Sequence, residues 1–178
     1  MKWKLGVIFA FSTIYAILRY HVFGPVLDKD LFLYTLNKIF IFSAVLIMLY
    51  RVISRYSKEK ELLRKWILVL ISLHIILSLL LVRPYYFPDF FLNEKGFSFK
   101  GNLVLIGGAI TAILFLFKEN NFFPKIYFKY LVLIFITIHL VSMGIDGWLK
   151  PWNWHGFMPP ITLLSYLIFI IWFLIKRK

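Results

Sequence analysis

Cysteine is absent from the 178-residue sequence. Its absence excludes disulfide bonds, iron–sulfur clusters, thiol redox chemistry and any zinc site that uses cysteine. A metal site in this chain would have to use histidine, aspartate, glutamate, methionine or tyrosine. The four histidines are therefore the residues to follow along the chain.

Charged residues are also scarce. They make up 16% of the chain, and hydrophobic residues make up 61%. A soluble domain carries about 25% charged residues. Too few polar side chains remain to cover the apolar ones in water, so lipid is the natural solvent. The length is enough for a single domain over residues 1–178.

The few charged residues are mostly basic, and the formal net charge is +13. Such an excess can indicate nucleic acid, a membrane surface or acidic partners. Here the basic residues lie between long apolar runs, and no basic patch with interleaved aromatic residues stands apart from them. They indicate lipid headgroups and membrane topology, so we expect a lipid bilayer and no nucleic acid as the partner.

Long apolar runs dominate the rest of the sequence. A helix needs about 20 mostly apolar residues to cross a bilayer. The first run follows Lys2 and Lys4 as in a signal peptide, but no cleavage site of small residues follows it, so we interpret it as a span. The sequence predicts an all-α, polytopic membrane helix bundle with six transmembrane helices, at residues 5–22, 35–53, 66–82, 103–117, 126–145 and 157–175.

The loops predict the orientation of this bundle. If the N-terminus is inside, the inner segments contain twice as many lysines and arginines as the outer ones. The positive-inside rule favours this orientation, with both termini cytoplasmic. We expect the membrane to be a plasma membrane, of the bacterial inner type.

Two further patterns concern packing. The fourth run is short and carries Gly107, Gly108 and Ala109, and such small residues predict a span packed inside the bundle. Aromatic residues follow the third and fifth spans on the predicted outer side. They favour an aromatic belt at the membrane interface, with a partner-docking surface as the alternative. These residues are Tyr85, Tyr86, Phe87, Phe90, Phe91, Trp148, Trp152 and Trp154.

The histidines differ in depth. His21 and His155 lie at the predicted outer side, where we interpret them as interfacial residues, with a second outer site as the alternative. His74 lies about 14 Å along its helix from the last inner charge, and His139 about 15 Å. Because the hydrocarbon core is about 30 Å thick, both lie near the midplane. Their spans run in the same direction, so the two imidazoles can face each other across a gap.

Two imidazoles at matching depth predict axial ligation of heme iron. Ionisable residues inside a membrane are costly and usually functional. The alternative is that each histidine makes a polar contact with a neighbouring helix. The residues on the same helix faces are mostly apolar, as a porphyrin would need and as any buried helix shows: Leu70, Ile71, Leu77, Ser78, Phe135, Ile136, Ser142 and Met143.

Four short segments surround these histidines. They are Leu36-Asn37-Lys38, Leu63-Arg64-Lys65-Trp66-Ile67 before Leu73-His74, Arg83-Pro84-Tyr85-Tyr86, and Lys129-Tyr130-Leu131 before His139. Through them the chain resembles the ferric-reductase-like transmembrane domain superfamily, over roughly residues 31–175. That superfamily includes the heme-bearing membrane subunit of the bacterial methionine sulfoxide reductase system.

The resemblance implies that His74 and His139 bind the iron of a b-type heme across the bundle. Positions where members often carry a second pair of histidines are Ile126 and Pro88 here, so the resemblance implies one heme rather than two. It also implies an electron-transfer subunit. Whether this subunit is an oxidoreductase depends on a partner that supplies the catalytic part. The competing class is a non-redox membrane scaffold or assembly protein that uses the two histidines as packing contacts.

No nucleotide-binding segment accompanies the spans, because Gly107-Gly108 lies within a span and lacks a strand–turn–helix context. Electrons would therefore come from a quinone or a redox partner protein. Asp146 lies four residues before Lys150, and this spacing predicts a salt bridge between them. The alternative is that Asp146 relays protons or contacts a quinone. We interpret Arg64 and Lys65 as residues that anchor the third span at the inner membrane surface. The alternative is that they bind the carboxylates of a heme.

Overall fold

The structure is a computed structural model, and it describes residues 2–24, 31–54, 57–81, 92–93, 96–117 and 125–175. Six α-helices make up nearly all of it, as the sequence predicts. They are α1 (Lys2–Ile17), α2 (Leu31–Ile53), α3 (Ser57–Leu81), α4 (Phe99–Phe117), α5 (Lys125–Trp148) and α6 (Ile161–Leu174).

Five of the six helices are long and apolar enough to cross a membrane when α1 and α6 are counted with the short helical turns beside them, as Trp3–Val22 and His155–Leu174. In α4 the described apolar segment, Phe99–Phe115, is shorter. Many large apolar side chains on the outside of the bundle are exposed, among them Phe11, Ile76, Ile113 and Ile134. Lipid can cover such side chains, whereas water would penalise their exposure. The architecture is therefore compatible with an integral membrane protein.

The helices alternate in direction. At one end of the bundle Lys4 of α1 donates to the hydroxyl of Tyr50 on α2 at 2.9 Å. At the same end Lys129 of α5 donates to the carbonyl of Phe173 on α6 at 3.0 Å. We call the opposite end, at which α1, α3 and α5 finish, the predicted outer end, because the sequence predicts that it faces outside.

The packing of the helices leaves a ring with a gap. Helix α2 packs most closely on α3, and α4 packs most closely on α5. Helix α6 joins the two pairs by contacting both α2 and α5, whereas α3 and α4 touch only slightly. Helix α1 packs on α2. The middle of the bundle therefore lies between two tight helix pairs.

The predicted outer end is closed by short irregular segments. Helix α1 continues as a π-helical turn, Leu18–Val22, whose buried Arg19 donates to the carbonyl of Met158. The hydroxyl of Tyr15 donates to the carbonyl of Pro159 at 2.6 Å. These bonds tie α1 to the segment before α6. That segment contains the 3₁₀ turns Pro151–Asn153 and His155–Phe157, and the antiparallel strands β1 (Leu92–Asn93) and β2 (Gly96–Phe97) precede α4.

The tryptophans at this end differ from one another. Trp148 is buried, stacks on Tyr166 and donates to the hydroxyl of Thr162 at 2.9 Å. Trp148 therefore belongs to the α5–α6 contact rather than to an interfacial belt. Trp152 is 73% exposed, as a residue of such a belt would be. The aromatic residues predicted to follow the third span, Tyr85 to Phe91, lie outside the described residues.

Candidate functional site

A cavity of about 550 Å³ occupies the middle of the bundle. Small-molecule and cofactor sites usually have volumes of about 300–1,000 Å³ and mostly apolar walls with a few polar groups. This cavity has that character, because most of its wall is aliphatic and aromatic. The polar and ionisable side chains in the wall are Tyr34, Asn37, Lys38, His74, Ser78, Thr111, His139 and Ser165.

His74 and His139 thus line the same cavity, from α3 and α5. Other residues that the sequence places on their helix faces line it too, namely Ile71, Ser78, Ile136 and Met143. By position His74 lies seven residues before the end of α3 and His139 nine residues before the end of α5. Both rings therefore lie somewhat nearer to the predicted outer end than to the other end.

The imidazole of His74 is held by a side chain of α2. Its Nδ1 lies within hydrogen-bonding distance of the amide oxygen of Asn37. The amide nitrogen of Asn37 donates in turn to the hydroxyl of Ser78, one turn along α3 from His74, at 2.9 Å. With the amide oxygen facing the ring, and because an amide oxygen only accepts hydrogen bonds, this placement assigns the proton of the His74 ring to Nδ1. Asn37 and Ser78 both lie in the cavity wall, so this chain of hydrogen bonds crosses the α2–α3 contact.

The imidazole of His139 is held by the backbone of α4. Its Nδ1 donates to the carbonyl of Val104 at 2.7 Å. The ring can reach that carbonyl because α4 and α5 approach closely. A Cβ atom at Gly107 would lie 2.9 Å from the backbone nitrogen of His139 and from the carbonyl oxygen of Phe135. A Cβ atom at Gly108 would lie 2.8 Å from Nδ1 of His139.

The two glycines lie at the α4–α5 contact, as small residues at a close helix approach do. Ala109, Ile106 and Ile113 of the same helix are exposed, so α4 packs by one face and, contrary to the prediction, does not lie inside the bundle.

The two histidines therefore share one tautomer. In each ring Nδ1 carries the proton and donates to an oxygen, so Nε2 has its lone pair free. No hydrogen bond joins either Nε2 to another residue that the structure describes. Histidines that bind metals usually show this arrangement, in which one ring nitrogen donates to an oxygen and the other binds the metal. Both rings are therefore prepared to bind a metal through Nε2.

The number of ligands limits the kind of metal. Within the described ranges, no group of three or more histidine, aspartate or glutamate side chains lies close enough together to hold a metal ion. A bare zinc ion usually needs three or four protein ligands. Heme iron needs only one or two, because the porphyrin supplies the other four. The two histidines and the apolar cavity between the helix pairs therefore fit a heme better than a bare ion.

The two remaining histidines lie outside the cavity wall. His21 is exposed on the π-helical turn, and its Nε2 lies 3.0 Å from the hydroxyl of Thr35. His155 lies in a 3₁₀ turn at the same end of the bundle. Among the residues with described positions, no hydrogen bond joins His21 to His155. The placement agrees with their interpretation as interfacial residues.

From the sequence, three charged residues near the ends of the helices, Asp146, Arg64 and Lys65, are possible site residues. The carboxylate of Asp146 pairs with Lys100 of α4 at 2.6 Å, and not with Lys150 as predicted. The prediction was wrong because it considered only neighbours on the same helix, whereas α4 and α5 bring Lys100 closer. Arg64 pairs with Glu61 at 2.7 Å, and Lys65 is exposed. Neither Arg64 nor Lys65 lines the cavity.

Two residues of the site, Asn37 and Lys38, are not among the residues that the sequence predicts to bind a cofactor. The structure buries Lys38 in α2 with its side chain in the cavity wall. Asn37, also buried, holds His74. The available signal was an adjacent amide and amine inside an otherwise apolar run, since polar groups within a membrane span are rarely without function.

Comparison with known proteins identified no relative. No family model matches the chain, and no curated protein and no solved structure matches it. The resemblance to ferric-reductase-like membrane domains therefore stays a prediction from the sequence segments quoted above.

Proposed function

We propose that the chain is a membrane-embedded electron-transfer subunit that holds one heme b, with His74 and His139 as the axial ligands of the iron. The observation that carries this proposal is the placement of the two rings, whose Nδ1 atoms both face an oxygen. Both line one cavity, and each uses Nδ1 to donate to an oxygen and so leaves Nε2 for a metal. A bound heme would supply the one-electron redox chemistry.

The residues of the chain would set the orientation of the heme and its redox properties. Asn37 and the Val104 carbonyl fix the direction of the two imidazoles and make them more basic, because each accepts the Nδ1 proton. The wall is mostly apolar, and burial in such surroundings tunes the potential of a heme. The inner-membrane location, the two cytoplasmic termini and a quinone or redox partner as electron source belong to the same proposal.

A second candidate function is a non-redox membrane scaffold or assembly protein. One observation favours it, because each histidine bond joins two helices, α2 to α3 and α4 to α5. Polar contacts between membrane helices contribute about 0.6 kcal/mol on average. The scaffold hypothesis explains both bonds but offers no use for the central cavity or for the buried lysine in its wall. The heme hypothesis explains the bonds and the cavity together.

Absorption spectroscopy separates the two functions. The full chain is purified in detergent with heme supplied, and its spectra are recorded in the oxidised state and after reduction with dithionite. The proposal predicts about one low-spin b-type heme per chain. The variants His74→Ala and His139→Ala should each lose most of it, since each removes one iron ligand.

The matched control is His21→Ala, because His21 lies outside the cavity wall. This variant should keep its heme. A colourless wild-type protein with normal helicity would overturn the heme function and favour the scaffold. Equal heme content in all four proteins would show that heme binds elsewhere than at His74 and His139.

A further inference from the structure

The cavity wall contains a buried cation, Lys38. Only 9% of this residue is exposed, and it lies in α2 next to Asn37, which holds His74. Among the described residues its ammonium group makes two weak contacts. The Met143 sulfur lies 3.9 Å from it, and the centre of the Tyr34 ring lies 4.9 Å away. A thioether is a weak acceptor, and an aromatic face offers only a modest attraction to a cation.

No carboxylate pairs with Lys38 in the part of the chain that the structure describes. The acidic side chains there are otherwise engaged. Glu59 accepts a bond from Ser54, Glu61 pairs with Arg64, and Asp146 pairs with Lys100. A buried charge is expensive unless it is paired, and a lysine inside a membrane span usually marks a functional site.

A second buried polar group in the same wall is the hydroxyl of Ser165 on α6. It makes no hydrogen bond to any described residue. Ser165 lies four residues after the start of α6, and Lys38 lies seven residues after the start of α2. Both helices start at the predicted outer end. Two buried polar groups that lack strong partners therefore lie in the outer half of one cavity.

We propose that this outer half of the cavity is an anion subsite, in which the Lys38 ammonium binds a carboxylate of the molecule that occupies the cavity. The inference rests on the proposed function, since for a heme the carboxylate is a propionate. The ammonium of Lys38 would then gain the charged acceptor that the protein itself does not provide. Its position next to Asn37 ties the orientation of the porphyrin to that of the His74 ligand. Lys38 is thus a residue that binds the cofactor by charge, in addition to the two that bind iron.

The experiment compares two porphyrins that differ only in their carboxylates. Purified full-length protein is titrated with heme and with heme dimethyl ester, whose propionates are esterified and neutral. Wild-type protein should bind heme about tenfold to a hundredfold more tightly than the ester, because a hydrogen bond to a charged group is lost. In Lys38→Met, which keeps the length and removes the charge, the two affinities should become equal. The control Lys150→Met, an exposed lysine at the same end, should keep the wild-type ratio.

The readout distinguishes failure of this inference from failure of the heme function. A wild-type protein that binds both porphyrins equally would overturn the subsite and leave the heme function standing, whether or not the variant folds. Preference for heme retained in Lys38→Met would also overturn it. A wild-type protein that binds neither porphyrin would overturn both the heme function and the subsite.

Discussion

In helix pair α2–α3 a side chain holds the ring of His74 by a hydrogen bond. In helix pair α4–α5 a backbone carbonyl holds the ring of His139. In the first pair Asn37 accepts the Nδ1 proton and is itself fixed by Ser78. In the second pair the Val104 carbonyl accepts that proton. An oxygen acceptor at Nδ1 is therefore supplied by different means on the two sides of one cavity.

The two kinds of acceptor respond differently to substitution. A side-chain acceptor can be removed by one substitution, and its loss leaves the helices in place. A backbone acceptor cannot be removed in this way, and it depends on the close approach that Gly107 and Gly108 permit. The α2–α3 side should therefore be sensitive to changes in polarity, and the α4–α5 side should be sensitive to changes in volume.

The largest effect should come from added volume at Gly107. The variant Gly107→Ala places a methyl group against the backbone of α5, which cannot move aside as a flexible side chain can. Such overpacking costs about 1–3 kcal/mol of stability. Unfolding of the heme-free protein in detergent by increasing SDS would measure it. The control Gly6→Ala has no atom within 4 Å of the new Cβ and should be neutral or slightly stabilising.

The neighbouring variant Gly108→Ala tests the position of the His139 ring independently of the α4–α5 backbone contact. Its methyl group would meet the imidazole of His139 rather than the backbone. We expect the fold to be retained and heme affinity to fall about tenfold or more, because the ring is displaced from its orientation. Equal losses of stability in Gly107→Ala and Gly108→Ala would show that the two glycines do not have separate roles.

Loss of a polar side chain should lower heme affinity most at Asn37. The variant Asn37→Leu removes the acceptor of the His74 proton and keeps a similar volume, so the ring loses its fixed tautomer. Heme affinity should fall about 10- to 100-fold, as for other residues that orient a metal ligand. Heme titration followed by absorbance measures the change. Unchanged affinity in Asn37→Leu would contradict the role assigned to this side chain.

A smaller effect is expected away from the cavity, at the α5–α6 contact. The variant Trp148→Phe removes the indole donor that bonds the hydroxyl of Thr162. It should lower stability by about 1 kcal/mol, the usual value of one such bond. Heme affinity should not change, because Trp148 does not line the cavity. A loss of heme with unchanged unfolding would place Trp148 in the site instead.

The smallest effect should come from the Lys100–Asp146 pair. Both side chains are largely exposed, at 52% and 74%, and exposed ion pairs contribute about 0–1 kcal/mol. Asp146→Asn should therefore change neither stability nor heme affinity measurably. If Asp146 instead relays protons or contacts a quinone, reduction of the heme by a quinol would slow in this variant while heme affinity stays the same.

The helical architecture could be predicted from the sequence because it depends on local information. Apolar runs indicate where each helix lies, and the six helices follow them. The start of α3 at Ser57, nine residues before the predicted span, shows the limit of hydropathy. Charged residues such as Glu61 and Arg64 form a helix as readily as apolar ones, so composition marks the membrane segment rather than the helix.

The geometry of the site could be predicted only in part. Equal depth on parallel helices correctly indicated that His74 and His139 face a common space. Their hydrogen-bond partners lie on other helices, 37 and 35 residues away in the chain, so periodicity within one helix could not find them. The same reason explains the error at Asp146, whose partner Lys100 is 46 residues away. Burial of Lys38 likewise depends on how α2 packs against its neighbours.

Electron paramagnetic resonance of the ferric protein reports the spin state that the axial ligands impose on the iron, so it tests ligation by His74 and His139. Ligation by both histidines predicts a low-spin signal typical of two imidazole ligands in the wild-type protein. At saturating heme, His74→Ala and His139→Ala should each convert it to a high-spin signal, since one axial ligand remains. A high-spin signal in the wild-type protein, or a low-spin signal that survives both substitutions, would contradict ligation by this pair.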